Sequence, residues 1–435
     1  MKHLKFLKSK MSLIALLISI VCICLLAGCN HTTVVEKENE HIGSNLGDEN
    51  KVEDNTIVIP DVSEPPENPT DKELDIKDEE ATNTERPEVI EPSKVPAFRH
   101  YRNMLQPNSV ELELYDAISY GLEKIDKKIS IPIVTDTSKI STIYEFVRMD
   151  NPQFFYSPTK FKILSTKVNG AVSAMEIEFQ YDEYWDLNNI SYYKDQIDIA
   201  ATEVLQSVLG VDGDYNKVLH LYKFLSKNIK YKSDSEADYN IYGALVLKGA
   251  TCEGFAESFQ YLLNLIEINS ISVVGESKNQ PHEWNMAKID GQWYFFDVTW
   301  DAPTNTDKYL PFNYFALNKD DVRNSHAIYY IEMLPEAVYT KYNYYHYNDL
   351  ILYSYSEKNA IDLAKISHSI NPNHISFRAI DEETYELVLN NISNWVPKAL
   401  KNLGIVKSEI SYMSNDDLNI IDIVLKEETE KWSEL

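Results

Sequence analysis

The stretch GATCEGFA, residues 249–256, decides how the central part of this chain folds. Apolar residues follow Cys252 at helical spacing, which predicts a helix that begins at the cysteine. The residues of this apolar face are Phe255, Phe259, Leu262, Leu263 and Ile266. The first N–H groups of a helix lack intrahelical acceptors and the helix dipole is positive there, so this position favours a thiolate and can hold an oxyanion. Gly249 and Gly254 permit close backbone approach on either side of the sulfur. We therefore predict that Cys252 is placed to act as a nucleophile.

Two short strands joined by a tight turn follow this helix. Residues 282–289 read HEWNMAKI and residues 292–299 read QWYFFDVT, with Asp-Gly between them. Asp-Gly favours a two-residue hairpin turn, which sets the register by pairing Ile289 with Gln292. In that register Trp284 faces Asp297 and His282 faces Thr299. His282 and Asp297 then share one face as diagonal neighbours, about 7 Å apart at Cβ and within reach of a hydrogen bond.

The thiol and the His-Asp pair together form a Cys-His-Asp constellation. Cys252 would attack a peptide or carboxamide carbonyl, His282 would carry the proton, and Asp297 would hold the imidazole tautomer. Each residue also has a structural interpretation: a small buried hydrophobe, a core or surface histidine, and a strand-end cap. Trp284 shares the predicted catalytic face, so we predict that it contacts substrate, although aromatic alternation on strands is also typical of a core.

Residues 240–303 resemble the core of the bacterial transglutaminase-like superfamily. Five blocks carry the resemblance in order: YGAL at 242–245, CEGFA at 252–256, HEWN at 282–285, DGQWY at 290–294 and DVTWD at 297–301. The resemblance covers about residues 213–330. It implies a papain-like α+β fold and chemistry through a thioester, with Cys252 as nucleophile, His282 as base and Asp297 as its partner. It leaves the acceptor open, because an amine gives crosslinking whereas water gives peptidase or amidase activity.

No cofactor or metal is expected. Asp212-Gly213-Asp214-Tyr215-Asn216 superficially resembles a calcium loop, but it lacks the spaced glycine and terminal glutamate of an EF-hand. His326 has two interpretations, a second catalytic base or a structural histidine, and the structural one is favoured because its sequence neighbourhood contains no thiol.

The N-terminus predicts export. Four lysines, Lys2, Lys5, Lys8 and Lys10, precede an uncharged run over residues 11–28. This layout is typical of a secretory signal. The run ends in LAGC at residues 26–29, which resembles a bacterial lipobox and implies lipidation of Cys29. The alternative is an uncleaved single-span anchor, since the run is near the minimum length for crossing a bilayer. Either way we expect the remaining chain to lie on the extracellular side of the cell membrane.

Charge and composition narrow the function further. The 435-residue chain has 41 basic and 68 acidic residues, a net charge of −27 and 44% hydrophobic residues. This composition suits a globular protein larger than one domain, and the excess of acid argues against nucleic-acid binding, which needs a basic stripe. Residues 30–95 contain no aromatic residue and are strongly acidic, which predicts a disordered tether.

The sequence therefore predicts an α+β protein with five segments. These are a lipoprotein signal at 1–29, an acidic disordered linker at 30–96, an α+β region at 97–212, a transglutaminase-like domain at 213–333 and a C-terminal α+β region at 334–435. The predicted function is that of a surface-anchored cysteine enzyme acting on proteins or peptides, including cell-wall peptides. The alternative is a non-catalytic adhesion or scaffold protein that keeps the fold. Three acidic residues, Glu253, Glu257 and Glu283, are expected to line the cleft and to favour a neutral or basic substrate.

Overall fold

The computed structural model describes residues 32–35, 98–132, 134–169, 171–302, 310–405 and 411–425. Helices and strands are mixed along the chain, so the predicted α+β class is confirmed. The predicted signal, Cys29 and all of the predicted linker except the strand Thr32–Val35 lie outside the described residues. Among the described helices, none has the length and apolar character needed to cross a bilayer.

Contacts group the described residues into two units. The smaller unit comprises Thr32–Val35 and the described residues within 106–144 and 158–181. Its sheet is antiparallel, and its strands lie in the order Thr32–Val35, Lys160–Val168, Ala171–Gln180 and Lys128–Ile131. The helix Val110–Lys124 and the first part of the helix Thr137–Asp150 belong to it.

One predicted helix boundary in the smaller unit is wrong. The residue pattern over 110–129 predicts one helix to about Ile129, but the helix ends at Lys124, where Ile125 takes a left-handed conformation with φ 58°. Lys128–Ile131 is instead a strand whose residues alternate between exposed and buried. The period-two pattern of this short segment and its pairing in the sheet outweigh its helical propensity.

The larger unit comprises the other described residues from 98 onward. Its helices are His100–Met104, Ile190–Gln206, Asp214–Asn228, Cys252–Leu265, Val298–Asp301, Lys319–Val322, Tyr344–Tyr347, Glu357–Ile370, Glu382–Asn390 and Ile392–Asn402. Its tighter or wider helical turns are Leu187–Asn189, Glu236–Tyr239, Gly243–Leu247 and Ile331–Met333. Its strands are Lys230–Tyr231, Gly249–Ala250, Ser270–Ser277, Gln280–Ile289, Gln292–Phe296, His326–Ile328, Ile351–Leu352, His374–Ala379, Ser411–Asn415 and Ile420–Val424.

Two four-stranded sheets organise the larger unit. The first, which we call the site sheet, has the antiparallel order His326–Ile328, Ser270–Ser277, Gln280–Ile289 and Gln292–Phe296. The second has the order Ile351–Leu352, His374–Ala379, Ile420–Val424 and Ser411–Asn415. The residue pattern over 382–403 predicts one helix, but the structure has two helices that meet at Asn391, and Pro397 lies inside the second without ending it.

The helix Cys252–Leu265, which we call the Cys252 helix, packs on the site sheet. It is buried on every side from Cys252 through Asn264, whereas the sequence indicated one apolar face. Gly254 is required for this packing, because a Cβ there would lie 2.8 Å from the carbonyl oxygen of Asp238. The start of the helix is therefore held against the neighbouring turn Glu236–Tyr239.

Candidate active site

Cys252 is the first residue of the Cys252 helix and is 6% exposed, with a free thiol. The residue before it is fixed, because the Thr251 N–H donates to the carbonyl oxygen of Asp238 at 2.8 Å and the Thr251 hydroxyl donates to the same oxygen at 3.3 Å. The N–H groups of this first helical turn have no acceptor within the helix. Cys252 thus stands at the start of the helix, as the sequence predicted.

The hairpin that carries the histidine has the predicted register. Ile289 pairs with Gln292, and the pairing continues to Asn285 with Phe296. The second strand was expected to reach Thr299, and this part of the prediction is wrong because the strand ends at Phe296. The chain turns there into a short helix, so Thr299 does not pair with His282.

Asp297 explains why the strand ends early. Its Oδ1 accepts the Trp300 N–H at 3.0 Å and caps the helix Val298–Asp301. Its other oxygen, Oδ2, accepts a hydrogen bond from Nε2 of His282 at 2.6 Å. The two interpretations drawn from sequence, a cap and an imidazole partner, therefore describe the same side chain.

His282 joins the thiol to the carboxylate. Because Nε2 is committed to Asp297, Nδ1 is the nitrogen left for the thiol, and Cys252 lies near enough to raise the pKa of His282. The structure thus brings Cys252, His282 and Asp297 together at one site, with a hydrogen bond between the histidine and the aspartate. Their catalytic roles stay a prediction.

Charges in this buried site control proton positions. Burial lowers the pKa of His282, but the charge and hydrogen bond of Asp297, followed by Cys252, outweigh it and raise that pKa to about 10. Burial alone would raise the pKa of Asp297, yet His282 and then His326 hold it below its usual range. Asp297 is therefore a carboxylate and His282 an imidazolium at neutral pH.

A second histidine touches the same carboxylate. Nε2 of His326 lies 3.1 Å from Oδ2 of Asp297, and the His326 side chain is fully buried. His326 belongs to the edge strand His326–Ile328, which pairs with Ser270–Ser277. Sequence reasoning favoured a structural role for His326 and missed this contact. No local motif pointed to it, because the approach depends on how the edge strand docks.

His282, Asp297 and His326 are also the residue types that hold metals. In the described part of the chain, these three residues place one possible ligand atom each within 4.8 Å of the other two. Here both Nε2 atoms direct hydrogens at Oδ2 of Asp297. A metal ion bound to Nε2 of His282 and Oδ2 of Asp297 would have to replace the hydrogen that these two atoms share. The geometry suits proton sharing better than ligation.

Trp284 lies behind the histidines. It is 1% exposed, its ring stacks on His282 with centroids 5.8 Å apart, and its centroid lies 4.7 Å from that of His326. The substrate contact predicted for Trp284 stays a prediction, since in this structure the indole contacts the two imidazoles. Trp300 is half-buried beside His282, and the Lys278 ammonium lies 4.2 Å from its ring centroid.

The acidic residues next to the site are buried or half-buried. Glu253 and Glu257 are 5% and 6% exposed, and Glu253 pairs with Arg148. Glu283 is half-buried and accepts a hydrogen bond from the Ser272 hydroxyl. Glu253 is paired with Arg148 and burial raises the pKa of Glu257, so these two residues add little negative charge to the site, and the substrate preference expected from them stays a prediction.

Burial makes two of these acids weak. Burial and then the charge of Glu253 raise the pKa of Glu283 to about 8, against the opposing influence of Ser272 and Arg148. Burial, with Glu253 and Glu283, raises the pKa of Glu257 well above its usual range. Three acids therefore lie beside the thiol and the imidazole. Glu253 is paired with Arg148, and Glu257 and Glu283 are largely protonated.

A comparison with known protein families identifies the central region. Residues 202–298 match the sequence model of the Transglutaminase-like superfamily, a match that covers less than half of the chain. The matched residues include Cys252, His282 and Asp297 but not His326. This region therefore contains a transglutaminase-like domain.

Three solved structures are similar at low identity. The first is described as a TGase, with 13% identity, a TM-score of 0.24 and coverage of 42% of this chain and 53% of the other. The second is a proposed cysteine protease from Cytophaga hutchinsonii, with 16% identity, a TM-score of 0.23 and coverage of 36% and 60%. The third is the periplasmic domain of TgpA from Pseudomonas aeruginosa bound to ethylmercury, with 14% identity, a TM-score of 0.20 and coverage of 32% and 62%. The chain thus spans between half and two thirds of the length of these structures, and a search of curated proteins found no match.

Proposed function

We propose that this protein is a surface-anchored, transglutaminase-like cysteine enzyme that acts on peptide or carboxamide bonds through a thioester on Cys252. The observation that carries the proposal is the connected arrangement of a thiol at a helix start, an imidazole and a buried carboxylate. The superfamily match over residues 202–298 supports the same class of chemistry.

The reaction begins with the Cys252 thiolate and the His282 imidazolium. The sulfur attacks the carbonyl carbon, and the oxygen takes up negative charge near the N–H groups of the first helical turn. When the tetrahedral intermediate collapses, the C–N bond breaks and His282 gives its proton to the departing amine or ammonia. The product of this half-reaction is a thioester and a neutral imidazole, held by Asp297 in the tautomer that keeps Nε2–H.

The second half-reaction releases the enzyme. Water or an amine attacks the thioester, His282 accepts the proton from that nucleophile, and the C–S bond breaks to restore the Cys252 thiolate. Water gives hydrolysis and an amine gives acyl transfer. Incubation with peptide substrates, with and without a primary amine, separates the two by the mass of the product.

The test of the proposal is the pH dependence of Cys252 alkylation by iodoacetamide, read by mass spectrometry of the Cys252 peptide. We expect fast labelling near pH 6 in the native protein and a collapse of that rate in His282→Ala. His374→Ala is a matched control, because His374 is also a buried histidine near an aspartate, with Nε2 3.5 Å from Oδ1 of Asp422, in the second sheet. Slow labelling that His282→Ala leaves unchanged would contradict the enzyme proposal.

A non-catalytic adhesion or scaffold protein is the second candidate. The observation that favours it is the burial of Cys252, which is 6% exposed. In this alternative the thiol is a packing group, and iodoacetamide reaches it only when the protein unfolds. Labelling that follows the unfolding curve, with no dependence on His282, would therefore support the scaffold and exclude the enzyme.

Anchoring at the cell surface is part of the proposal. The LAGC sequence at residues 26–29 supports lipidation of Cys29, with the enzyme facing proteins or wall peptides outside the cell. Globomycin, which blocks the lipoprotein signal peptidase, should cause the precursor to accumulate, and Cys29→Ser should abolish fatty-acid labelling. Normal processing in the presence of globomycin would contradict the lipid anchor.

A further inference from the structure

We propose that His326 is a positioning residue of this site, because its Nε2–H shares the Oδ2 atom of Asp297 with His282 and so decides how firmly His282 keeps its proton. The inference rests on the proposed function, since it concerns the same Cys-His-Asp chain. His326 lies outside the residues that match the superfamily, so that comparison assigns it no role.

The carboxylate of Asp297 is held at three points. Oδ1 accepts the Trp300 N–H at 3.0 Å, and Oδ2 accepts from His282 at 2.6 Å and from His326 at 3.1 Å. An ionised carboxylate can only accept hydrogen bonds, so both Nε2 atoms must carry hydrogen. Two imidazoles therefore compete for the lone pairs of one oxygen atom.

The surroundings of His326 fix its ring. Nδ1 lies 2.8 Å from the Ser325 hydroxyl, and the main-chain oxygen of Ser325 accepts a hydrogen bond from the Ser277 hydroxyl at 2.9 Å. Trp284 and Tyr314 approach the ring, with centroids at 4.7 and 5.7 Å. Because both ring nitrogens are engaged and the side chain is fully buried, the direction of Nε2–H is set.

Other ionisable groups face Asp297 from the packed elements. Cys252 acts on His282, which lies next to Asp297. The Tyr222 hydroxyl donates to the main-chain oxygen of Asp297 and to the carboxylate of Asp301. Tyr314 contributes its main-chain oxygen, which accepts the Asp297 N–H at 3.0 Å. Among the hydrogen bonds of the described residues, those to Oδ2 come from the two histidines. Glu283 also acts on the charge of His282, but its pKa of about 8 lies below that of His282. His326 is thus the group positioned to tune the His282–Asp297 contact through Oδ2 itself.

The consequence for catalysis follows from this competition. A hydrogen bond to an anion stabilises the anion and weakens its attraction for a second donor. Without the His326 hydrogen, Asp297 would bind the His282 imidazolium more tightly. His282 would then keep its proton to higher pH and release it less readily to a leaving amine. His326 in this way makes His282 a better acid.

Two substitutions of His326 separate the hydrogen bond from the rest of the side chain. The amide nitrogen of His326→Gln lies at the same number of bonds from Cα as Nε2 and can still donate to Asp297. His326→Asn can reach only the position of Nδ1 and loses that donor. The experiment measures the rate of Cys252 alkylation by iodoacetamide in the full chain, in short pulses from a neutral stock into buffers from about pH 5 to pH 11.5.

We expect an upper inflection in the wild-type profile where His282 loses its proton. In His326→Asn this inflection should move up by about one pH unit, the equivalent of one hydrogen bond to a charged group. In His326→Gln it should stay at the wild-type position. Ser325→Ala should move it in the same direction as His326→Asn, since Nδ1 then loses its partner and the ring its fixed orientation. This half-buried serine offers a second route should His326→Asn not fold.

Three results would overturn the inference. An inflection that stays in place or moves down in His326→Asn excludes the competition for Oδ2. An equal shift in His326→Asn and His326→Gln shows that the donor is not the cause. A wild-type profile without any inflection that depends on His282 defeats the proposed function itself, and the inference with it. A normal wild-type profile with unshifted variants defeats only the inference.

Discussion

The half-buried Glu283 makes stability depend on pH in a direction opposite to that of an ordinary surface acid. Its pKa is raised from 4.5 to about 8 by burial and by the charge of Glu253. Below pH 4.5 the side chain is protonated in both the folded and the unfolded protein. Between pH 4.5 and about 8 the unfolded chain releases the proton while the folded chain holds it. Stability from this group is therefore full at low pH and is lost as the pH rises through 8.

Replacing Glu283 with Gln tests this reasoning, because Gln is close in shape to the protonated acid and its amide oxygen can still accept from Ser272. The rise from 4.5 to about 8 corresponds to roughly 5 kcal/mol in the free energy of unfolding. Since Glu283 is half-buried, solvent screening reduces this, and we expect a gain of about 2–3 kcal/mol at pH 8.5. Near pH 4.5 the variant and the wild type should be equally stable.

The assay is urea unfolding of the full chain followed by tryptophan fluorescence at about pH 5 and pH 8.5. Glu332→Gln is the matched control, because Glu332 is exposed, and its two curves should differ little from wild type at either pH. If Glu283→Gln destabilises the protein equally at both values, Glu283 is ionised throughout and balanced by Arg148. That result would refute the account of the buried acids.

Three further predictions concern the same unit. The pKa of His282 is raised from 6.5 to about 10, so the stability that its proton contributes is complete below pH 6.5 and is lost as the pH rises to about 10. In urea unfolding, His282→Ala should therefore lower the unfolding free energy by roughly 3–5 kcal/mol more near pH 6 than near pH 10. Tyr222→Phe removes a hydroxyl that is 2.7 Å from the main-chain oxygen of Asp297 and 2.6 Å from Oδ2 of Asp301. This change should lower the unfolding free energy by about 1–3 kcal/mol. An unchanged unfolding free energy would show that water replaces the hydroxyl. Arg378→Lys breaks the two-pronged contact of Arg378 with Asp321, so calorimetry should show a lower melting temperature and a loss of about 1–2 kcal/mol.

Local sequence patterns predicted the parts of the site that depend on local structure. The helix start at Cys252 follows from the apolar spacing after it, and the hairpin register follows from the Asp-Gly turn. The strand end at Phe296 was missed because a capping aspartate inside an apolar, alternating run looks like another strand residue until the Trp300 N–H is seen to bond with it. Extending the hairpin pairing to Thr299 therefore predicted a strand that is too long.

Tertiary docking created the features that the sequence did not predict. His326 reaches Asp297 because the edge strand pairs with Ser270–Ser277, and no periodicity within either strand indicates which partner an edge strand will choose. The burial of Glu253 and Glu257 has the same origin. Acidic residues next to a predicted nucleophile suggested an acidic cleft, but packing of the Cys252 helix buries Glu253 and Glu257.

The buried charges around the site form a balanced set, and this balance limits what the thiol can do. At neutral pH, Arg148 offsets Glu253 and the His282 imidazolium offsets Asp297, while Glu257 and Glu283 remain largely protonated. A thiolate at Cys252 adds one negative charge, which the imidazolium and the helix start are placed to stabilise. When Glu283 ionises near pH 8, a second negative charge appears beside His282 and strengthens its hold on the proton. His326, by sharing the Asp297 oxygen, works against that hold. The acidity of His282 is therefore set by two neighbouring carboxyl groups. Asp297 is shared with His326, and Glu283 is kept neutral by burial until the pH approaches 8.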